Sequence, residues 1–341
     1  MYDRWVKKWE YVTRTPLRVS LAGGGTDVEP FASMYGASVL NFAINLFVRG
    51  YLKTSKSRYS NKPKLTLSLN KDIDEKINLH FHTEFRNYLT KVYQEYLNED
   101  VELSLQSPVP PGSGLGASSA LIVTAINTLD HLVNIKRSKK QLAEMAIECE
   151  RIKLSIAGGF QDQYSAAYGG IGRYTQDNGY IKRKSIEISS NFKRELEDSI
   201  LLIDLGLSRN SGRIIEDQKL KILNREKNAI EATLFQKSLV TKMESALYNE
   251  DIENVGLIIA ESWESKKKFS NFMTNKSIDN LINTLKTIGS FGSKIVGAGG
   301  GGHIMTVFPM DKRNQFISKL QEKGFSQREF QLVDKGSMVW N

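Results

Sequence analysis

The sequence predicts an α+β fold divided between two domains. A chain of 341 residues is longer than one compact core usually serves, so a second core is the natural expectation. Strand-like alternation and helical spacing both occur, yet they do not follow one another in the strict order of a doubly wound sheet. With 40% hydrophobic and 25% charged residues, and neither a repeat nor a low-complexity stretch, the composition is that of an ordinary globular protein.

The elements follow in order. Residues 11–21 (YVTRTPLRVSL) read as a strand that the turn Ala22-Gly23-Gly24-Gly25 breaks. Residues 37–54 are rich in β-branched and aromatic side chains, and KLTLSL at 64–69 alternates, so both read as strands. Residues 83–97 have helical spacing, with Phe85, Tyr88, Leu89, Val92 and Tyr96 on one face. VELSLQS then alternates into Pro108, and two helices are predicted over 118–132 and 138–153. SILLIDL at 199–205 is a short continuous apolar run, as a buried strand is. Helices are predicted over 212–247, 251–269 and 277–289, followed by the strand KIVGA, four glycines and the strand HIMTVFP. A helix over 311–323 and a strand in FQLVDK close the chain. The weak, polar stretch 176–198 is the expected junction, which places the domains at 1–190 and 191–341.

Several classes of function are disfavoured by composition. No apolar run reaches the roughly 18 residues of a membrane span. The opening MYDRWVKKWEYV is charged and aromatic, unlike a signal peptide. The single cysteine, Cys149, lies in a helical pattern and reads as a buried structural thiol. These features point to the cytoplasm. The net charge of +9 suits polyphosphate ligands and also nucleic acid. No nucleic-acid-binding motif accompanies it, so neither a nucleic acid nor a membrane is an expected partner; most lysines read as solvated surface.

The strongest local signal is Pro110-Pro111-Gly112-Ser113-Gly114-Leu115-Gly116-Ala117-Ser118-Ser119-Ala120. A strand ends, prolines stop it, glycines turn the chain and two serines open an apolar helix. Glycines let backbone N–H groups approach a ligand, and a helix start offers unpaired donors with a partial positive charge. Ser118 and Ser119 are placed to cap the helix, or to offer a hydroxyl to the Mg²⁺ that accompanies ATP. The same residues also suit a plain glycine turn with a serine cap. Neither the Walker A nor the Rossmann spacing is present.

PPGSGLGASSA resembles the second signature of the galactokinase, homoserine kinase, mevalonate kinase and phosphomevalonate kinase (GHMP) family. Two further stretches match in the family's order. Thr15-Pro16-Leu17-Arg18-Val19-Ser20-Leu21-Ala22-Gly23-Gly24-Gly25-Thr26-Asp27 is similar to its N-terminal substrate signature, and Val296-Gly297-Ala298-Gly299-Gly300-Gly301-Gly302 to its C-terminal glycine motif. The resemblance implies a two-domain GHMP kinase architecture, with ATP and a small-molecule substrate in the interdomain cleft. It implies ATP contacts at Pro110, Gly112, Ser113, Gly114, Leu115, Gly116, Ala117, Ser118 and Ser119. Ser118, with Glu150, becomes the Mg²⁺ ligand set, and Ser119 remains open as a ligand because Ala117 replaces a serine common in the family. Gly158-Gly159-Phe160-Gln161-Asp162-Gln163 resembles the family's base context, making Asp162 the residue that deprotonates or orients the acceptor hydroxyl. Arg18 becomes the cation that offsets charge on the transferring phosphoryl or lowers the pKa of Asp162. Gly299, Gly300 and Gly301 come near the phosphate.

For the acceptor, Gly24, Gly25, Thr26 and Asp27 are the expected substrate contacts. Galactokinases carry Glu-His where Gly24-Gly25 stand, so space for a larger or anionic group is expected here. LAGGGTD and GFQDQYSAAYGG are similar to the D-glycero-D-manno-heptose 7-phosphate kinases, which implies transfer to the anomeric hydroxyl of that sugar phosphate. Arg173 and Arg209, with Arg213, are the candidate cations for the substrate's phosphate. Other sugar 1-kinases of the family, acting on fucose or a hexose, share parts of the pattern. A mevalonate-type kinase fits the Gly-Gly-Gly-Thr-Asp turn less well, and a non-catalytic sensor is expected to have lost Asp162 or the loop.

Overall fold

The structure is a computed structural model that describes residues 9–56, 62–70, 79–206 and 211–341. Two sheets organise it. The first has seven strands and is built on a 19-residue strand, β2 (Ala37–Ser55). Strand β1 (Tyr11–Ala22) lies antiparallel along most of its length. On its other edge β2 pairs first with β5 (Ile171–Asp177) and then with β4 (Asp100–Gln106), so one strand serves two partners. β3 (Leu65–Leu69) runs parallel to β4, and β6 (Tyr180–Ser185) pairs with β5. β11 (Met338–Trp340) adds to the free edge of β1.

The second sheet has four strands in the order β10 (Ser326–Arg328), β7 (Ile200–Asp204), β9 (His303–Val307) and β8 (Gly292–Ile295). β7 shows why its sequence is continuously apolar. Successive strand residues face opposite sides. Ile200 and Leu202 enter the large core that spans the first sheet, while Leu201 and Ile203 enter a second core with Trp263, Phe269 and Phe316. The helix Lys227–Tyr248 and the helix Ile252–Lys266 carry the large core across, through Leu239, Val240, Met243, Val255 and Ile259. In this α+β architecture residues attached to both sheets line one cleft. Among the described residues no helix is long and apolar enough to cross a membrane.

The chain leaves the first sheet after β6 and enters the second at β7, but its last strand returns to the first. The edge of β1 is thus completed from the far end of the chain. Three expectations about single elements are corrected. The helical pattern over 212–247 is two helices, Ser211–Leu223 and Lys227–Tyr248. Arg225 takes a left-handed φ of 57° and the Glu226 N–H returns to the Lys221 carbonyl, which closes the first helix. FQLVDK forms only a single bridge, Leu332 to Ile44, and the strand lies earlier, at β10. In the helix Leu79–Tyr93, Tyr93 is fully buried whereas Tyr96, beyond its end, is 55% exposed. Cys149 is buried as expected, and burial pushes its thiol up, away from reactivity.

Candidate active site

The glycine loop joins β4 to the helix Ala117–Leu132. Gly116, at φ 77°, is the residue before the helix, and no side chain caps its first turn. The amides there are left for a ligand, as anion-binding helix starts require. Neither serine caps the helix, so of the two roles the sequence offered them capping is not taken. Ser118 lines the cleft, and Ser119 instead donates to Glu150 Oε2 at 2.6 Å. Gly112, Ser113, Gly114, Gly116 and Ala117 also line the cleft. Pro110 and Leu115 do not: the Pro110 carbonyl accepts the Ser113 N–H and that of Leu115 accepts the Arg18 N–H, so both shape the loop from outside.

The loop is braced against the C-terminal glycine motif. A Cβ on Gly114, whose φ is 82°, would lie 2.4 Å from the Val296 carbonyl oxygen. Only glycine permits both that contact and that φ. His303 of β9 adds a second tie, with Nδ1 2.9 Å from the Ser113 carbonyl. Gly299 and Gly301 line the cleft, whereas Gly300 spends its N–H on the Met273 carbonyl.

Arg18, 4% exposed on β1, stands beside this loop. Its Nε and Nη2 reach Asp162 Oδ1 at 2.7 and 2.6 Å, and Nη1 donates to the Gly114 carbonyl. Asp162 sits in the first turn of the helix Gln161–Tyr168. Its Oδ2 faces the loop, 3.5 Å from where a Gly116 Cβ would be. The two residues named as base and cation, 144 positions apart in sequence, are thus in contact at the phosphate loop.

Glu150 is 2% exposed in the π-helical turn Glu148–Lys153 that ends the predicted helix. Its Oε2 accepts from Ser119 Oγ and from Gln163 Nε2, each at 2.6 Å. Among the described residues no three carboxylate, histidine or cysteine groups gather to cage a metal. Glu150 with the bonded Ser119 hydroxyl, and Ser118 on the same cleft wall, make an all-oxygen set that fits Mg²⁺, which keeps waters and takes its remaining ligands from phosphates.

Asp27 lines the cleft and accepts from the backbone N–H of Gln161 at 3.1 Å and its side-chain amide at 3.2 Å. Burial raises its pKa, the Gln161 bond opposes, and the charge of Asp162 adds to the rise. Gly25 lines the cleft and Gly24 a smaller chamber behind it. The expected space is only half present. A Cβ on Gly25 would meet Phe269 at 2.6 Å, whereas one on Gly24 would touch only Ser20 Oγ at 3.5 Å. Thr26 does not reach the cleft, because its hydroxyl staples the turn to the backbone of Ser38. Arg173 is also elsewhere. It and Lys184, opposite it on β6, both hold Glu244 of the Lys227–Tyr248 helix. Arg209 lies outside the described residues, and Arg213 packs over the ring of Phe272 at 3.8 Å.

Three contributors escaped the sequence reading. Arg151 donates to the carbonyls of Gly159 and Ile156, fixing the turn that leads to Asp162. Gln163 positions Glu150. Lys266, covered only by the general reading of lysines as solvated surface, is 6% exposed and lines the cleft. The available signal was helical spacing, since Trp263 and Ile259 stand three and seven residues before it on a buried face.

Comparison with known proteins shows the family. The family described as GHMP kinases N terminal domain matches residues 87–170, and GHMP kinases C terminal matches 243–326. A D-glycero-alpha-D-manno-heptose 7-phosphate kinase of Campylobacter jejuni is 30% identical, over 96% of this chain and 98% of that one. A bifunctional fucokinase/GDP-fucose pyrophosphorylase of Arabidopsis thaliana is 26% identical over 90% of this chain, which spans 31% of that longer protein. The fold matches the crystal structure of a D-glycero-D-manno-heptose 1-phosphate kinase from Bacteroides thetaiotaomicron at a TM-score of 0.76 and 23% identity, covering 97% of this chain and 99% of that one. The chain belongs to the GHMP kinase family and is a phosphotransferase with an alcohol group as acceptor.

Proposed function

We propose that the protein transfers the γ-phosphoryl group of ATP to the anomeric hydroxyl of D-glycero-D-manno-heptose 7-phosphate. The observation that carries the transfer chemistry is the Arg18–Asp162 pair held against the glycine loop. The name of the C. jejuni relative, matched over nearly all of both chains, supports the acceptor.

In this reading the amides of Gly112, Gly114 and Gly116 through Ser119 hold the nucleotide's phosphates. Glu150 and Ser118, with Ser119 as a further donor, hold Mg²⁺, which neutralises charge on the phosphates. Asp162 Oδ2 accepts the acceptor's proton or orients its hydroxyl, and Arg18 fixes the carboxylate while placing positive charge beside the loop. Asp27 accepts hydrogen bonds from sugar hydroxyls, its own orientation set by Gln161.

An ADP-release assay across heptose 7-phosphate, fucose, galactose, mannose, mevalonate and homoserine tests the assignment, with ³¹P NMR locating the new phosphate. Turnover with heptose 7-phosphate and a 1-phosphate product is expected. Preferred turnover of fucose or a hexose would move the acceptor to the other sugar 1-kinases. Turnover of mevalonate alone would remove the sugar.

A further inference from the structure

Lys266 is the last residue of the helix Ile252–Lys266, whose Val255 and Ile259 lie in the large core and Trp263 in the second, and whose end lines the cleft. Its ammonium donates to the carbonyl of Gly297, and Gly297 lies against Gly114 of the phosphate loop. An ammonium has three donors, and this bond uses one. Two spaces open onto the side chain. One is the cleft, shared with Arg18, Asp27, Gly114 and Asp162. The other is the small chamber behind it, lined by Ser20, Gly24 and Lys294.

The charges around Lys266 do not balance it. Arg18 faces it from β1, but Arg18 is already matched by Asp162. Lys294 faces it from β8 and donates to the Leu21 carbonyl. Asp27 attracts it from the turn after β1, without coming within ion-pair distance, and Glu150 and Arg151 lie further along the cleft wall. Among the described residues, no carboxylate forms an ion pair with Lys266. Burial first, and Arg18 second, push its pKa down to about 8. A cation removed from water and left without a counter-charge is costly. An arriving anion relieves that cost, and the anion this cleft is built to receive is a phosphate.

We propose that Lys266 is a catalytic cation of the phosphoryl transfer, contacting the oxygens of the moving phosphoryl group from beside the C-terminal glycine motif. In that step the acceptor oxygen bonds to the γ-phosphorus as the bridging P–O bond to ADP breaks. ADP leaves with the electron pair, and the acceptor's proton passes to Asp162. Lys266 keeps its protons and supplies charge as the phosphoryl group crosses. The inference rests on the proposed nucleotide site.

The test combines turnover with proton counting. Calorimetry of the full-length protein with Mg²⁺ and AMP-PNP at pH 8, in buffers of different ionisation heat, reads protons taken up on binding. With a pKa of about 8, half of the free enzyme carries the proton at that pH, so wild type is expected to take up about half a proton more than Lys266→Arg, which is always charged. Lys266→Met should lower kcat by about 10²–10³, with Lys266→Arg recovering part of it. Equal proton uptake by wild type and Lys266→Arg, or a Lys266→Met kcat within about threefold of wild type, overturns the proposal while the nucleotide site stands. Absence of nucleotide binding to the wild type removes both. If Lys266→Met does not fold, the comparison with Lys266→Arg decides alone.

Discussion

Asp162→Asn removes the carboxylate from Arg18 while leaving a side chain of nearly the same shape. The two side chains are 5% and 20% exposed, so the pair is mostly withdrawn from water. Breaking a fully buried pair costs about 3–5 kcal/mol, and a hydrogen bond to a charged group is worth about 1.5–3. Asn keeps one oxygen to accept from the guanidinium, and Nη1 of Arg18 keeps the Gly114 carbonyl. The expected loss of stability is therefore about 1–3 kcal/mol, read as a lower urea midpoint at unchanged slope. Turnover should fall further. Loss of a general base costs about 10²–10⁴ in rate, or about 3–5 kcal/mol of barrier. Nucleotide binding should persist, because the loop amides and Glu150 are untouched. Arg18→Met combined with Asp162→Leu should recover stability without activity, since an apolar pair can replace a buried ionic one. A folded Asp162→Asn protein that turns over within about tenfold of wild type would refute the role given to this carboxylate.

Two further predictions concern the turn after β1 and the buried lysines. Gly25→Ala should cost about 1–3 kcal/mol, because its φ is 95° and the new methyl meets Phe269, whereas Gly24→Ala should change stability by less than about 0.5. Equal urea midpoints for the two variants would show that Phe269 does not occupy that space. Burial lowers the pKa of both Lys266 and Lys294. Below the lowered pKa both states carry the proton and the folded one bears the burial cost; above it, and up to the unfolded value near 10.5, the unfolded state holds more protons, so stability rises with pH. For Lys266 that window opens at about 8 and the full rise is about 3 kcal/mol. Melting temperatures between pH 8 and 9.5 should therefore climb less in Lys266→Met than in wild type, and parallel curves would contradict the burial of its charge.

Local chemistry was legible in the sequence wherever the function depends on backbone conformation or helix ends. The loop at residues 110–120 announces itself because glycines and a helix start must be adjacent in the chain to make an amide cradle. The apolar run of β7 and the break after β1 were readable for the same reason, since alternation and turns are properties of neighbours. The sequence resemblance also singled out Arg18, Asp162, Glu150 and Asp27 and linked Arg18 to Asp162, though no distance or bonding pattern was visible.

Tertiary structure decided what crosses between distant segments. It set Arg18 on Asp162, turned Ser119 from a cap into a donor to Glu150, and committed Arg173 to Glu244 instead of the cleft. It filled the space beside Gly25 with Phe269 and sent the final strand back to β1. It also made Lys266 a buried cation of the cleft, although a run of three lysines looks like surface. The physical reason is shared by all of these. Propensity and spacing act within a few residues, whereas burial and charge pairing depend on which segments the two cores bring together, and no local pattern encodes that distance.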